Sequence, residues 1–315
     1  MSYKYCVIAP YSPTFISASD LSSIGKAIAA KDGSMFWKPV NIKDASELRR
    51  LRPPKVPTLM LQFHGFKQNP FPQFRGPRLT TKSVHKAIQV SKLEAAGVRV
   101  PKTTRLETKT RVDPAEFGEY LIIKPTEKGA SLGRGVTMIR TSEFESYRDE
   151  HATQYEKIGR SPPLVQQHIP TGGMPEHFRV QTFLSRVVSC RRSIQDALTP
   201  VNAPMQNLVL AEKVASNSGK LKRELYEDKE IEDFALRVDA VFDSVSKGID
   251  ILRSSEDRKL YALEVNMGNV WHFSSNLGVR NRKFIGVENM IKQYDLFEIC
   301  AEAIIETSRQ KLGLV

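Results

Sequence analysis

Only three cysteines occur in 315 residues: Cys6, Cys190 and Cys300. They are odd in number and far apart, so they supply neither a disulfide framework nor a metal-ligand spacing. The expectation is a reducing, cytoplasmic compartment and three buried core thiols. No apolar run approaches the ~18 residues a membrane span needs. The opening MSYKYCVIAPYS holds too short an apolar stretch for a secretory signal. Aromatic residues do not interleave with basic ones as on an RNA-stacking surface, and no nucleic-acid module pattern occurs. No Ser/His/Asp or Cys/His set suggests a side-chain nucleophile. Internal repeats and low-complexity tracts are missing as well. What remains is a chain of ordinary globular composition, 40% hydrophobic and 26% charged. Its length suits two or three lobes of roughly 100 residues each.

Acidic residues are scarce in one place. Residues 38–112 hold 17 Lys or Arg against 4 Asp or Glu, an excess equal to more than the whole chain's net +12. An excess of this size implies an anionic partner, namely phosphates, an acidic substrate or peptide, or nucleic acid, the last ranking lowest. A plain solvated face is the alternative. Arg49, Arg50, Arg52, Lys55, Arg75 and Arg78 contribute to it, with Arg75 and Arg78 framing Gly76 and Pro77.

Hydrophobic patterning places the elements. Strands are expected at Tyr5–Ala9, Thr58–Phe63, Tyr120–Lys124, Gly135–Ile139, Leu164–Ile169, two after Arg179 (VQTFL and VVSCR), Lys247–Leu252 and Leu260–Asn266. Helices are expected at Leu21–Ala30, Lys82–Ala96 stopped by Gly97, Ser142–Lys157 with Ser142 as N-cap, Glu227–Phe242, and Val287–Leu312. Residues 200–223 are undecided.

Two constellations carry chemistry. The first is Lys124-Pro-Thr-Glu-Lys-Gly-Ala-Ser-Leu-Gly-Arg-Gly135, a strand ending in lysine followed by a glycine-rich loop. Glycines let backbone N–H groups approach an anion, Ser131 adds a hydroxyl donor, and the lysine adds a point charge for a phosphate. It is not a Walker A sequence, and taken alone it is equally a flexible hairpin turn. The second is Gly248-Ile-Asp250 with Leu263-Glu-Val-Asn266. Alternation puts Glu264 and Asn266 on one strand face, which Asp250 joins if the strands are adjacent. Two carboxylates and an amide oxygen are the hard ligands Mg²⁺ takes beside phosphates; the outward face of a half-exposed hairpin is the alternative. Lys86, Arg179 and Arg192 each read in isolation as surface charge.

Taken in order, these pieces resemble the ATP-grasp superfamily, and most of all its amino-acid and peptide ligase branch, which includes ribosomal-protein glutamate ligases and glutathione synthetases. The matching stretches are HKAIQVSKLEAAGVRVPKT (85–103), LIIKPTEKGASLGRGV (121–136), LVQQHI (164–169), HFRV (177–180), CRR (190–192), GIDIL (248–252) and LEVN (263–266). The resemblance implies an α+β, ATP-grasp fold: a small α/β domain (1–80), then one lobe with the glycine loop (81–167) and a second with the metal site (168–315), clasping ATP. It implies Lys86 and Lys124 on the α- and β-phosphates, a closing loop with Gly129, Ser131 and Gly133, and adenine at Gln166, Gln167, His168 and Ile169. Glu176 is implied on the ribose, and Asp250, Glu264 and Asn266 on one or two Mg²⁺ (Mn²⁺ as a substitute). Arg192 is implied near the transferred phosphate, with Arg179 as its catalytic companion.

The implied activity is an ADP-forming carbon–nitrogen ligase that joins a small-molecule or peptide carboxylate to an amine. An acidic substrate and a homo-oligomer are compatible with it. The rivals are a catalytically silent nucleotide-binding protein and a nucleic-acid binder using residues 38–112. His85, Gln167, His177 and Met267 depart from the family's usual Asp, Glu, Asp and Pro, which bears on the subfamily.

Overall fold

A computed structural model describes residues 3–44, 46, 55–66, 71–126, 136–157, 161–195, 221–267, 271, 273 and 285–314. The undecided residues 200–220 lie outside them.

The first sheet is parallel, in the order β2-β1-β3-β4: β1 Tyr5–Tyr11, β2 Met35–Asn41, β3 Thr58–Leu61 and β4 Arg78–Leu79. β1 is buried throughout because it lies inside the sheet. β2 was not expected, since Lys38 and Pro39 interrupt its apolar pattern. It lies at the sheet edge, the place where a strand tolerates a proline. Helix α1 (Ala18–Lys31) is capped by Ser17, whose side chain accepts from Asp20 N.

The second sheet is antiparallel, in the order β5-β8-β6-β7: β5 Thr103–Arg105, β6 Tyr120–Lys124, β7 Thr137–Arg140 and β8 Leu164–Gln167. β6 and β7 pair as the expected hairpin. Helix α2 (Lys86–Ala95) precedes this sheet, and α3 (Pro114–Phe117) and α4 (Phe144–Lys157) cover it. Ser142 does not cap α4. A 3-10 turn over Thr141–Glu143 leads into the helix, and Glu143 Oε2 accepts from Arg140 N (3.2 Å).

The third sheet, also antiparallel, runs β11-β10-β9-β12-β13: β9 Glu176–Phe183, β10 Arg186–Gln195, β11 Leu221–Leu225, β12 Ser246–Arg253 and β13 Leu260–Met267. Helix α5 (Lys229–Asp239) buries Ile231, Phe234, Ala235 and Val238 at helical spacing. These pack on one face of the sheet, against Phe178, Val180, Cys190, Ile249, Ile251 and Val265.

The expected C-terminal helix is two: α6 (Val287–Lys292) and α7 (Leu296–Lys311), separated at Asp295, whose φ is +52°. Two cores cross the sheet boundaries. Leu93 and Val98, flanking the end of α2, belong to the core beneath the third sheet. α7 packs on α1, so Leu296, Cys300, Ala301 and Ile304 share a core with Tyr5, Val7, Leu21 and Ile24. All three cysteines are buried and free. No helix among the described residues is long and apolar enough to cross a membrane.

Candidate active site

Because Phe178, Val180, Ile249 and Val265 face the core under α5, the alternate residues of the third sheet face the other way. Register makes them a row: Arg191 on β10 opposes Arg179 on β9, Arg179 opposes Asp250 on β12, and Asp250 opposes Glu264 on β13. The last pairing depends on a bulge. Asp250 aligns with Glu264 and the next residue, Ile251, with Ala262, leaving Leu263 as the extra residue. Ala262 and Val265 therefore both reach the core while Glu264 turns to the open face.

The carboxylates on this face are already charge-paired. Arg179 donates through Nε to Asp250 Oδ1 and through Nη2 to Asp250 Oδ2 (2.7 Å), a fork on a single carboxylate. Asn266 Nδ2 donates to Asp250 Oδ2 (3.0 Å). Lys86 Nζ lies 3.4 Å from Glu264 Oε1. Helix α2 brings Lys86 there through Gln89, three residues on, whose Oε1 accepts from Val265 N (3.0 Å) on the edge strand β13.

The second sheet supplies the opposite wall. Lys124 Nζ donates to Gln166 Oε1, and Gln166 Nε2 donates to Thr103 Oγ1 (3.0 Å), so the lysine is held at the strand end. Burial pushes its ammonium down to about 8; Lys86 acts in the same direction, and Glu264 and Asp250 oppose it. The two sheets thus bring Lys86, Lys124, Asp250 and Glu264 together. Beside Lys124 lies a small apolar patch of Tyr120, Ile122 and Met138.

The end of β8 and the irregular segment after it carry Gln167, His168 and Ile169. Gln167 bonds to Lys102 through its backbone N–H (2.8 Å) and its Oε1 (3.3 Å), and His168 N donates to Tyr120 O (3.0 Å). Burial holds the His168 imidazole down at about 4, hence neutral. Gly129, Ser131 and Gly133 lie outside the described residues, as do Arg49, Arg50 and Arg52. Arg78 Nη2 donates to Phe71 O and Phe74 O (2.7 Å each), tying the turn that precedes β4, while Arg75 is exposed.

One expectation needs correcting. Arg192 does not join Arg179 and Asp250, because strand alternation sends it to the opposite face, where it opposes Phe178 and Glu224. There it donates through Nε to Glu176 Oε2 (2.8 Å) and through Nη1 to Glu224 Oε1 (3.3 Å), so Glu176 is engaged as its partner. The arginine on the cleft face is its neighbour, Arg191. Arg191 is 7% exposed, and its Nη1 has no hydrogen-bond partner among the described residues. Burial pulls its guanidinium down to about 9, with Arg179 and Arg223 adding like-charge repulsion. His177, on the same face, is held neutral by burial at about 4. A pair of adjacent arginines in a strand identifies this position only once its inward face is known.

No family model and no curated protein matches the chain. Solved structures do. A D-alanine–D-alanine ligase from Bacillus anthracis is 15% identical, with 99% of each chain covered and a TM-score of 0.52. The D-cycloserine synthetase DcsG is 12% identical over 96% of this chain and 99% of its own, with a TM-score of 0.53. The ATP-grasp ligase PsnB, complexed with a minimal precursor, Mg and ADP, is 14% identical over 97% of each chain, with a TM-score of 0.54. The chain has the ATP-grasp fold. Between its second and third sheets it brings Lys86, Lys124, Arg179, Asp250, Glu264 and Asn266 together.

Proposed function

We propose that the chain is an ATP-dependent carboxylate–amine ligase that forms an amide through an acyl phosphate and releases ADP and phosphate. One observation carries this reading: Lys86 and Lys124 converge with Asp250 and Glu264 across a cleft between two sheets. In it, residues 1–80 precede the two clasping lobes, 81–167 and 168–315, with α2 also serving the third sheet and α7 the first.

A carboxylate is a poor electrophile, and transfer of the γ-phosphoryl group makes it reactive toward an amine. That transfer depends on positioning and charge neutralisation. Lys124, oriented by Gln166, and Lys86, oriented by α2, are placed to meet phosphate oxygens. The patch of Tyr120, Ile122 and Met138 offers the adenine an apolar wall, with the backbone of Gln166–Ile169 beside it. Among the described residues no group of three or more His, Cys, Asp or Glu stands ready for a metal. The set that fits is two carboxylates and an amide, Asp250, Glu264 and Asn266, all hard oxygen ligands suited to Mg²⁺. Bound there, Mg²⁺ would neutralise phosphate charge. Arg179 and Lys86 are the protein's own counter-charges to the same carboxylates. A catalytically silent nucleotide binder is the weaker reading, because it gives no reason to keep these charges in register.

ATP with Mg²⁺ should raise the melting temperature, and EDTA should remove most of the rise; no shift at millimolar nucleotide sinks the reading. With hydroxylamine as the amine, the correct acid should yield a hydroxamate and ADP, whereas AMP would mean adenylation. Glu264→Gln should stay folded and lose at least ~100-fold in turnover. Near wild-type turnover in that variant would make the strand face structural.

A further inference from the structure

Among the described residues no strand lies beyond β13, the edge of the third sheet. Ala262 and Val265 on that strand are nevertheless buried, so their outward N–H groups need acceptors. Ala262 N donates to Arg99 O (2.9 Å), and Val265 N donates to Gln89 Oε1 (3.0 Å). The two donors stand three residues apart, although their partners on β12, Ile251 and Ile249, are two apart, because the bulge adds Leu263. Both acceptors come from one stretch of chain, α2 and the segment after Gly97.

Arg99 contributes a backbone oxygen, which any residue in its place would offer. Gln89 contributes its side chain. It is 6% exposed, and its Nε2 donates to Val84 O (2.9 Å), just ahead of His85, the N-cap of α2. Both ends of the amide are therefore engaged, which fixes its oxygen toward Val265 and its nitrogen toward Val84. Packing alone does not call for an amide here: Leu93, one turn further along α2, joins the core under the third sheet with an apolar side chain.

The bonded N–H belongs to the peptide that links Glu264 to Val265, and the next residue is Asn266. Holding that peptide holds the backbone from which both oxygen ligands project. Gln89 also lies one turn after Lys86 on the same helix, and Lys86 Nζ is 3.4 Å from Glu264 Oε1. α2 thus meets β13 at a charge pair and at a neutral bond. The charge pair opens when Glu264 turns to a metal ion and Lys86 to a phosphate. The neutral bond uses no group that a metal or a phosphate would take, so it persists when the cleft fills.

Resting on the ligase reading, we infer that Gln89 is a positioning residue for the metal site, setting the direction in which Glu264 and Asn266 present their oxygens while touching neither metal nor nucleotide.

The probe is Mn²⁺, a paramagnetic stand-in for Mg²⁺, titrated into protein carrying a non-hydrolysable ATP analogue and read by electron paramagnetic resonance. Gln89→Met removes both bonds at similar volume. Gln89→Asn keeps an amide that is one methylene too short to span them. Each should weaken Mn²⁺ binding by about tenfold or more, the usual loss when a group that orients a metal ligand is removed. Affinity for the analogue in EDTA should stay within about twofold, because no contact to the nucleotide is lost. In the metal-free protein, amide exchange over residues 264–266 should be faster in both variants than in wild type. Ile231→Ala, on the face of the same sheet that meets α5, controls for general loosening: it should lower the melting temperature and leave Mn²⁺ affinity within about twofold. Equal Mn²⁺ affinity in wild type and in either folded variant overturns the positioning role alone. An equal loss of analogue affinity with and without metal also overturns it, as does a matching loss of Mn²⁺ affinity in Ile231→Ala. Wild-type protein that takes up no Mn²⁺ with the analogue sinks the ligase reading and this one with it.

Discussion

Lys124 shows how the surroundings of a single residue set a measurable property. With its pKa pushed down to about 8, it is charged at neutral pH and loses its proton as pH rises through 8. A phosphate held by that ammonium favours the charged form. Nucleotide affinity should therefore be flat from pH 6.5 to 7.5, then weaken by up to tenfold per pH unit above 8. Lys124→Arg should remove the dependence, since arginine stays charged throughout; an unchanged profile in that variant would assign the titration elsewhere. Much of the site at this scale was legible from types and spacing. Asp250, Glu264 and Asn266 stand together because a two-residue alternation placed two of them on one face and the strands proved adjacent. Arg191 was missed. Choosing between it and Arg192 requires knowing which face of β10 meets α5; Cys190 and Ile194 share the parity of Arg192, and that alternation was the signal available.

At the scale of elements, chain punctuation explains both successes and misses. Gly97 ends α2 with φ at +69°, its N–H on Glu94 O (2.9 Å) and Val98 N on Leu93 O (2.9 Å). A Cβ at Gly97 would meet no atom within 4 Å. Gly97→Ala should thus cost about 1 kcal/mol from backbone conformation alone, readable as a lower denaturation midpoint at constant slope. The break at Asp295 had no such mark. Neither Gly nor Pro occurs there, and apolar periodicity continues across it, so the sequence reads as one helix where the chain makes two. Asp295 occupies the left-handed region without a side-chain cap, so Asp295→Gly should raise stability by about 0.5–1 kcal/mol. β2 stayed hidden for a different reason: a lysine and a proline are admissible on an edge strand, and sequence patterning cannot tell an edge from a linker.

At the scale of the whole molecule, the sheets are local but the cores are not. The largest cluster runs from Tyr5 to Ile304 and joins β1 and α1 to α7, with Trp271 Nε1 donating to Asp20 Oδ2 (2.8 Å) inside it. Ile304 is fully buried there, so Ile304→Ala should cost ~2–4 kcal/mol in urea unfolding. That cluster also imposes a schedule on synthesis. The first strand leaves the ribosome roughly 300 residues before the helix that covers its neighbour α1, which at about 5–20 residues per second is an interval of roughly 15–60 s. During that time α1 packs on β1–β3 alone, without the cover of Leu296, Cys300, Ala301 and Ile304. Nascent chains arrested with residues 1–280 outside the ribosome should be cut by protease near Leu21–Ile28, and chains exposed through residue 311 should resist. A helix near residue 300 thus completes a core begun by the strand at Tyr5.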